Sequence, residues 1–423
     1  MNKLKSIGRA FRYRNYRLYF AGQSISLTGT WLQLTALPWL VYSLTGSAFL
    51  LGVVGFLSQI PAFVLTPIAG VWIDRLDCRK LLLMTQSASL IQALVLWMLL
   101  ISGHMSVPAI LILSLILGII NAIDIPARQS FVLDMVENKE DLGNAIALNS
   151  SMVHGARMIG PAIAGILIAL AGEASCFLLN ALSFVAVITS FLLMTIKPRV
   201  KKISKASVWA EMKDGFAYVA GHLPMRSIMI LIALISLSGM PYMVFMTVFA
   251  KDIFHGSPYT LGFLLGSSGM GALAGAFYLA TKQGIKGFGR LMAGAAALFG
   301  LGLMSLGLSK TLWVSYISMA FVGFGMMMIF ALSNTILQTI VEDNKRGRVM
   351  SIYTVCFMGM TPVGNYIEGW LAHHFGVPMV VFFGGVVCLL AALNFARHLP
   401  AIRQVMHQHR SQQDSEVIPG PAA

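Results

Sequence analysis

The sequence predicts an all-α integral membrane protein with twelve transmembrane helices in two six-helix pseudo-repeats. Of its 423 residues, 57% are hydrophobic and only 11% are charged, so a water-soluble chain of this size could not cover its surface with polar groups. Apolar runs of about 20 residues, the length that crosses a bilayer, recur along the chain. The basic residues are distributed among the connections as an even number of crossings requires. A soluble enzyme is excluded.

The apolar runs are separated by short polar or Gly- and Pro-containing breaks, which mark the ends of the helices. The first run is too long and too polar to be a cleaved signal peptide, so we expect a permanent span. We predict spans at 18–43, 48–72, 81–101, 107–126, 144–171, 175–196, 227–250, 259–281, 290–308, 312–335, 349–374 and 378–398.

The basic residues predict the orientation of the chain. All but three of the 30 Lys and Arg residues lie on the same side as the N-terminus, the exceptions being Lys251, Lys310 and Arg157. By the positive-inside rule that side is cytoplasmic, and so are both termini. The net charge of +14 therefore serves orientation, and no basic arm with interleaved aromatics indicates nucleic-acid binding. The four cysteines form no C-x-x-C pair, so neither a zinc cage nor a disulfide scaffold is supported. We predict no metal and no cofactor.

One basic connection divides the predicted spans into two sets of six. We expect a first bundle at 1–196, a cytoplasmic linker at 197–226, a second bundle at 227–400 and a disordered cytoplasmic tail at 401–423. Around 208–219 the linker is compatible with an amphipathic helix on the membrane surface. At a fixed offset of 204 residues the two sets also match in spans five and eleven. The matched pairs are Gly143 and Gly347, Gly160 and Gly364, Gly165 and Gly369, and Leu167 and Leu371.

A short loop between spans two and three carries a recognisable motif. From Gly70 to Lys80 it reads GVWIDRLDCRK, with Asp74 and Arg75 followed by a basic pair at Arg79 and Lys80. It resembles the loop signature of the major facilitator superfamily, in the position where that superfamily keeps it. Over about the first two hundred residues the chain is similar to the branch that contains bacterial enterobactin exporters and macrolide and multidrug efflux proteins.

The resemblance implies the major facilitator fold, a multi-pass protein of the bacterial cytoplasmic (inner) membrane, and alternating access between repeats. It also implies that Asp74, Arg75 and Arg79 latch the two halves together on the cytoplasmic side. Gly70 lets a neighbouring helix approach closely. The alternative for Arg79 and Lys80 is that they only anchor the topology.

Span five contains Gly155, Gly160, Pro161 and Gly165. This segment resembles a partial form of a signature associated with antiporters rather than importers. Its small residues predict a thin helix face that packs tightly against the other half.

The same span carries the basic residue Arg157, with His154 one turn below it. Arg157 lies about 20 Å along the helix, close to the middle of the bilayer. A charge at this depth must face the interior and be paired there, or it must await an anionic ligand or a proton-carrying acid. The alternative to such a functional role is a structural ion pair between helices.

Two acidic residues are predicted inside the spans. Glu368 lies in the outer part of span eleven, where a partly desolvated carboxylate can exchange protons with the outside. The alternative is a solvated group in the outer interface near His373 and His374. Asp124, near the inner end of span four, is expected to serve an inner gate or to bond Arg128.

In this fold the first, fourth, seventh and tenth spans usually line the pathway. Here they offer the amides Gln23, Gln33, Asn121 and Asn334 together with several methionines. Methionine is a flexible, polarizable residue that suits poorly specified apolar ligands. This mixed lining favours an amphipathic organic solute, although apolar stripes in membrane helices usually face lipid or other helices.

These features predict a monomeric, proton-coupled exporter of an amphipathic small molecule, either a siderophore or a drug-like compound. Its partners would be that substrate, protons and membrane lipid, and not nucleic acid. No P-loop occurs in the sequence, so ATP is not the direct energy source. The alternatives are an importer or lipid flippase of the same fold, or a non-transporting membrane sensor or assembly factor.

Overall fold

A computed structural model describes residues 9–132, 135–136, 138–195, 208–282, 287–342 and 345–400. For 66–75, 139 and 208–212 it describes only the backbone. The described residues form helices and no strand, so the predicted all-α class is confirmed. The predicted tail at 401–423 and the first part of the predicted linker, 197–207, lie outside the described residues.

The first half consists of five helices that follow a short 3-10 turn at Arg9–Arg12. They are α1 (Arg14–Thr45), α2 (Ala48–Arg75), α3 (Cys78–Ile101), α4 (Val107–Val132) and α5 (Lys139–Leu193). Local signals set the helix ends. Gly46 ends α1 in the left-handed conformation, and Asp77 caps α3 by accepting the N–H of Arg79 at 2.9 Å.

The 55-residue helix α5 contains one break. Gly172 adopts φ 74° and ψ 172°, a backbone conformation that residues with a side chain rarely adopt. It divides α5 into a first arm at 139–171 and a second arm at 173–193. The break falls at the predicted connection between spans five and six.

The second half is more interrupted than the sequence predicts. Its helices are α6 (Val208–Gly221), α7 (Leu223–Ser238), α8 (Tyr242–Val248), α9 (Pro258–Ala280), α10 (Phe288–Leu308), α11 (Leu312–Ile340), α12 (Arg346–Thr354), α13 (Met360–Phe375) and α14 (Val377–Arg397). Single π turns at Phe249–Ile253 and Val355–Gly359 continue α8 and join α12 to α13. Predicted spans seven and eleven are therefore built from several helical pieces.

Several helical segments are long and apolar enough to cross a membrane. In the described part of the chain nine segments qualify: Ala48–Leu65, Cys78–Ile101, Val107–Val132, Glu140–Leu193, Leu223–Ile253, Pro258–Ala280, Phe288–Leu308, Leu312–Ile340 and Val377–Arg397. The other three crossings of the predicted twelve fit α1, the second arm of α5, and α12 with α13. The count of twelve itself stays a prediction.

The helices pack as two halves that meet mainly through two helix pairs. In the first half α1 lies along α5, and α3 packs on α4 and α5. In the second half α10 packs on α11 and α14, and α9 packs on α11. Between the halves α5 contacts α9 and α2 contacts α13. The repeat equates span five with eleven and span two with eight, so these two pairs are equivalent, as expected of parallel repeats.

Each of the two pairs closes on a glycine contact. A Cβ on Gly165 would lie 2.9 Å from Cα of Gly262, and a Cβ on Gly369 would lie 2.9 Å from Cα of Gly52. Both distances are too short for a real Cβ, so glycine is what allows the backbones to touch. Gly165 and Gly369 are also one of the matched pairs of the sequence repeat.

The two ends of the bundle differ. We call the end at Arg12, Arg79, Arg290 and Arg348 the basic end, and the end at the turns Gly46, Gly103, Gly172 and Gly376 the far end. The glycine contacts hold the halves together towards the far end.

Towards the basic end, the face of α5 that points to the other half is open. Ile146, Ser150 and Val153 are exposed there, spaced at four and three residues on one helix face. Because Arg157, on the same helix face, contacts Met243 and Met326 of the second half, we infer that the halves enclose a cleft that opens at the basic end.

Candidate functional site

Arg157 lies on the first arm of α5, where the open face of the cleft meets the closed contact. Its Nη2 contacts Sδ of Met243 at 3.3 Å and Sδ of Met326 at 3.0 Å. Its guanidinium carbon lies 5.6 Å from the ring centroid of Trp31, and the Tyr242 hydroxyl also interacts with it. Among the described residues no carboxylate lies within ion-pair distance of Arg157. The alternative of a structural ion pair therefore finds no partner there.

Glu368 lies on α13 and is buried, with only 6% of its surface exposed. It lines a cavity of about 450 Å³ between α7, α13 and α14, whose rim includes the exposed Phe375 and Phe383. Within the described part of the chain its carboxylate has no hydrogen-bond partner. His373 and His374 are exposed, so Glu368 does not share their setting, and the alternative of a solvated interfacial group does not fit this placement.

Asp124 on α4 is held inside the first half. Arg128 Nη2 lies 2.7 Å from its Oδ2, while Thr85 Oγ1 and Gln86 Nε2 donate to its Oδ1 at 2.9 and 2.7 Å. The expected bond to Arg128 is thus present, together with two donors from α3. A carboxylate satisfied by three partners is suited to fixing α3 against α4 rather than to binding a ligand.

Gln33 belongs to an amide network within the first half. It donates to Gln92 Oε1 on α3 at 3.1 Å and accepts from Asn180 Nδ2 on the second arm of α5 at 2.8 Å. Because these amides satisfy one another inside the bundle, this placement corrects the prediction that Gln33 lines the pathway. Gln23 is also buried on α1, and its Oε1 has no partner in the described part of the protein.

The remaining polar candidates are half-buried. Asn334 on α11 accepts from Gln338 Nε2 at 3.0 Å. Asn121 on α4 and His154 on α5 have no hydrogen bond with any described residue. Of the predicted pathway residues, Arg157 has the clearest contact with both halves, through Trp31 on one side and Met243 and Met326 on the other.

The motif loop lies at the basic end. Arg79 donates from Nε to the Phe191 carbonyl at 2.8 Å and from Nη2 to the Leu192 carbonyl at 2.9 Å, so it binds the last turn of α5 in its own half. Lys80 is exposed. For the predicted latch residues Gly70, Asp74 and Arg75 the structure describes only the backbone. The latch between halves remains a prediction.

The small residues of span five do not share one environment. Gly165 meets Gly262, and the Pro161 carbonyl also faces Gly262, so both lie at the contact between halves. Gly160 instead packs on Trp31 of its own half, and a Cβ on Gly155 would meet nothing within 4 Å. Met158, which lies between these two glycines, meets Gly269 of the second half, so the contact between the halves extends from Gly165 down to Met158.

The far end carries polar contacts between the halves that the sequence did not predict. The Tyr42 hydroxyl donates to Oδ2 of Asp252. Lys251 Nζ donates to Ser43 Oγ at 3.0 Å and lies 5.7 Å from the ring centroid of Trp39. The only signal for this cluster was an acid and a base side by side at an outer helix end. Among the described residues, no group of three His, Cys, Asp or Glu could hold a metal ion.

Comparisons with known proteins find a matching family and several relatives. A family model described as transmembrane secretion effector matches residues 9–420. The chain is 26% identical over 384 residues to the staphyloferrin A transporter of Staphylococcus aureus, covering 90% of this chain and 95% of that protein. It is 23% identical over 400 residues to macrolide efflux protein A of Streptococcus pyogenes, covering 90% and 96%. It is 22% identical over 386 residues to the multidrug efflux pump Tap of Mycolicibacterium fortuitum, covering 89% and 93%.

A solved structure shares the fold. It is a bacterial homologue of the human lysosomal transporter spinster, in an inward-facing and unoccupied conformation, with a TM-score of 0.69 and 14% identity. The match covers 97% of this chain and 99% of that chain. The resemblance that the sequence motifs indicated is confirmed.

Proposed function

Because the chain belongs to the transmembrane secretion effector family of the major facilitator superfamily, we propose that it is a proton-coupled exporter of an amphipathic organic small molecule. Membership in this family makes the chain a membrane transporter and not an enzyme. Siderophores and drug-like compounds are the candidate substrates, because its relatives include a staphyloferrin A transporter and a macrolide efflux protein.

One observation carries the proposal of alternating access. The halves touch through two equivalent glycine contacts towards the far end, and Arg157 lies where that contact gives way to an open cleft. With the basic end in the cytoplasm, as the positive-inside rule predicts, the cleft faces the compartment from which an exporter loads. Rocking of the halves about this contact would then expose Arg157 to the outside.

Proton coupling is proposed for Glu368. Its carboxylate is buried beside a cavity with an exposed rim and has no partner among the described residues. An unpartnered carboxyl in an apolar site can hold a proton and release it when its surroundings change. Asp124 is a poorer candidate, because Arg128, Thr85 and Gln86 already bind its carboxylate.

The function is tested by comparing a deletion strain with strains that carry the wild-type gene or a Glu368→Gln variant. We expect an organic compound to accumulate in deletion cells and to fall in the medium, with both changes reversed by the wild-type gene. Mass spectrometry of medium and cell extracts measures both pools. Accumulation in the medium instead would indicate an importer, and a change restricted to the lipids of one leaflet would indicate a flippase.

The coupling is tested in proteoliposomes with the compound so identified. A pH gradient should accelerate wild-type flux at least about tenfold, whereas Glu368→Gln should carry only downhill flux that ignores the gradient. Glu173→Gln is the matched control, because this carboxylate lies beside the far-end break in α5. Absence of any flux from the wild-type protein would contradict transport and favour the sensor.

A further inference from the structure

We propose that Arg157 is an anion-binding subsite and that the transported amphiphile carries a carboxylate or an equivalent anionic oxygen group. This inference rests on the proposed transport function and narrows its substrate to organic anions. It starts from a charge at the centre of the molecule that the described protein does not neutralise.

The protein contacts of Arg157 are weak for a guanidinium. This group has five N–H donors in a planar fork, and its described partners are the thioethers of Met243 and Met326 and the hydroxyl of Tyr242. Thioether sulfur is a weak acceptor, and the Tyr242 hydroxyl also pairs with Ser268 Oγ at 3.1 Å. The paired donors that would hold a bidentate anion therefore have no equivalent acceptor among the described residues.

The two carboxylates predicted inside the spans have other surroundings. Asp124 is held by Arg128, Thr85 and Gln86 within the first half. Glu368 lines the cavity between α7, α13 and α14 in the second half. An isolated charge inside the bilayer is costly, so a counter-ion from outside the chain best explains why Arg157 stands here.

An anion can reach Arg157 from the basic end. Val153, Ser150 and Ile146 precede it by four, seven and eleven residues, so all three lie below it on the same helix face, and all three are exposed. Above it, Pro161 faces the second half, where the halves touch. Arg157 thus lies at the closed inner end of the cleft.

The surroundings of Arg157 suit the apolar part of an amphiphile. Trp31 on α1, Met243 on α8 and Met326 on α11 surround the charge with an aromatic face and two flexible thioethers. These side chains come from both halves, so an anion bound here would contact both halves at once. Binding would then be coupled to the rocking that transport needs.

The test is equilibrium binding to the purified full-length protein in phosphatidylcholine nanodiscs, without a pH gradient. Dansylglycine is the probe, and dansylglycinamide is its neutral counterpart of the same shape. We expect wild-type protein to bind the anion at least about tenfold more tightly than the amide, since a guanidinium strengthens a hydrogen bond to charged oxygen in a poorly solvated site. Dansyl fluorescence measures both affinities.

Variants of Arg157 separate charge recognition from folding. Arg157→Gln should reduce the preference to within about twofold while leaving the affinity for the amide unchanged. Arg157→Lys should retain part of the preference, because it keeps the charge but loses the fork. Arg290→Gln removes an exposed arginine at the basic end and should behave as wild type. Equal wild-type affinities for the two probes, or a full preference in Arg157→Gln, would overturn the proposal.

A second binding experiment identifies the source of the anion. If phosphatidylglycerol added to the nanodiscs displaces dansylglycine only when Arg157 is present, the anionic group belongs to a lipid headgroup. If it does not, the ligand is a free solute. Because the assay needs no gradient, a failure of proton coupling cannot mimic a failure of anion binding, and the two proposals can fail separately.

Discussion

Spans five and eleven are equivalent in the repeat, yet they differ in the charge that each carries. Span five, the first arm of α5, holds Arg157 in the cleft between the halves. Span eleven, from α12 to α13, buries Glu368 in a cavity within the second half. At the positions related by the repeat, Arg157 corresponds to Thr361 and Glu368 corresponds to Ala164.

What the two spans share is the contact that closes the far end. Gly165 and Gly369 each meet a glycine of the opposite half at the same distance. The comparison separates two properties of the molecule. The closing contact is symmetric, whereas the charges are asymmetric and can therefore serve different tasks.

The largest effect is expected from substitutions that break the symmetric contact. Gly165→Val places a Cβ 2.7 Å from the carbonyl oxygen of Pro258, and Gly369→Val places one against backbone Cα of Gly52. Neither backbone atom can rotate away, so the far end should fail to close and export should fall at least about tenfold in each variant. Flux in proteoliposomes, with gel filtration to verify folding, measures the loss.

Gly155→Val is the matched control, because its Cβ would meet nothing within 4 Å. It introduces the same side chain into the same helix away from the contact. A loss of flux in Gly155→Val equal to that in Gly165→Val would show that helix propensity, and not the contact, sets the rate. A large difference between Gly165→Val and Gly369→Val would argue against their equivalence.

A smaller effect is expected at the asymmetric polar contact of the far end. Tyr42→Phe removes the hydrogen bond to Asp252, and hydrogen bonds to charged groups contribute about 1.5–3 kcal/mol in favourable settings. Partial exposure reduces that value, so we expect a two- to fivefold change in the export rate. Tyr259→Phe, which loses an exposed hydroxyl at the same end, should transport as wild type. Equal rates in both variants and wild type would remove this contact from the closing mechanism.

The smallest effect is expected where α6 docks on α12. Lys345 Nζ donates to Asp214 Oδ2 at 2.9 Å and Arg348 also contacts this oxygen. These two bases, led by the hydrogen bond from Lys345, hold the pKa of Asp214 below its usual 3.8. A carboxyl with a lowered folded pKa stabilises the docked helix above the unfolded value, and this contribution is lost as the pH falls through the folded pKa.

The protection factor of the α6 amides, which is the intrinsic exchange rate divided by the observed rate at the same pH, should therefore be constant from pH 8 to about 5 and should fall only below about pH 4, near the ordinary Asp pKa. Asp214→Asn should show faster exchange at neutral pH, while export changes less than twofold. Lys213→Gln, which alters an exposed neighbour, should leave the exchange unchanged. An Asp214→Asn protein with wild-type exchange would show that this pair does not hold α6.

Particular residues show how far the sequence predicts the site. Gly165 and Gly369 could be paired because the repeat preserves their positions, and Arg157 could be assigned to the interior because exposing it to lipid is costly. Gln33 could not be assigned, because its helix face depends on which helices pack beside α1. Tyr42 and Asp252 are 210 residues apart in sequence, so no local pattern connects them.

The sequence by itself determined the membrane class, the breaks between helices and the repeat, because length, hydropathy and glycine placement act locally along the chain. Only the tertiary structure decided which polar groups satisfy one another. It placed Asp124 beside Arg128, enclosed Gln33 among amides and left Arg157 facing thioethers and an aromatic ring. Partners of this kind are set by how distant helices pack, and the pattern of any single helix does not encode them.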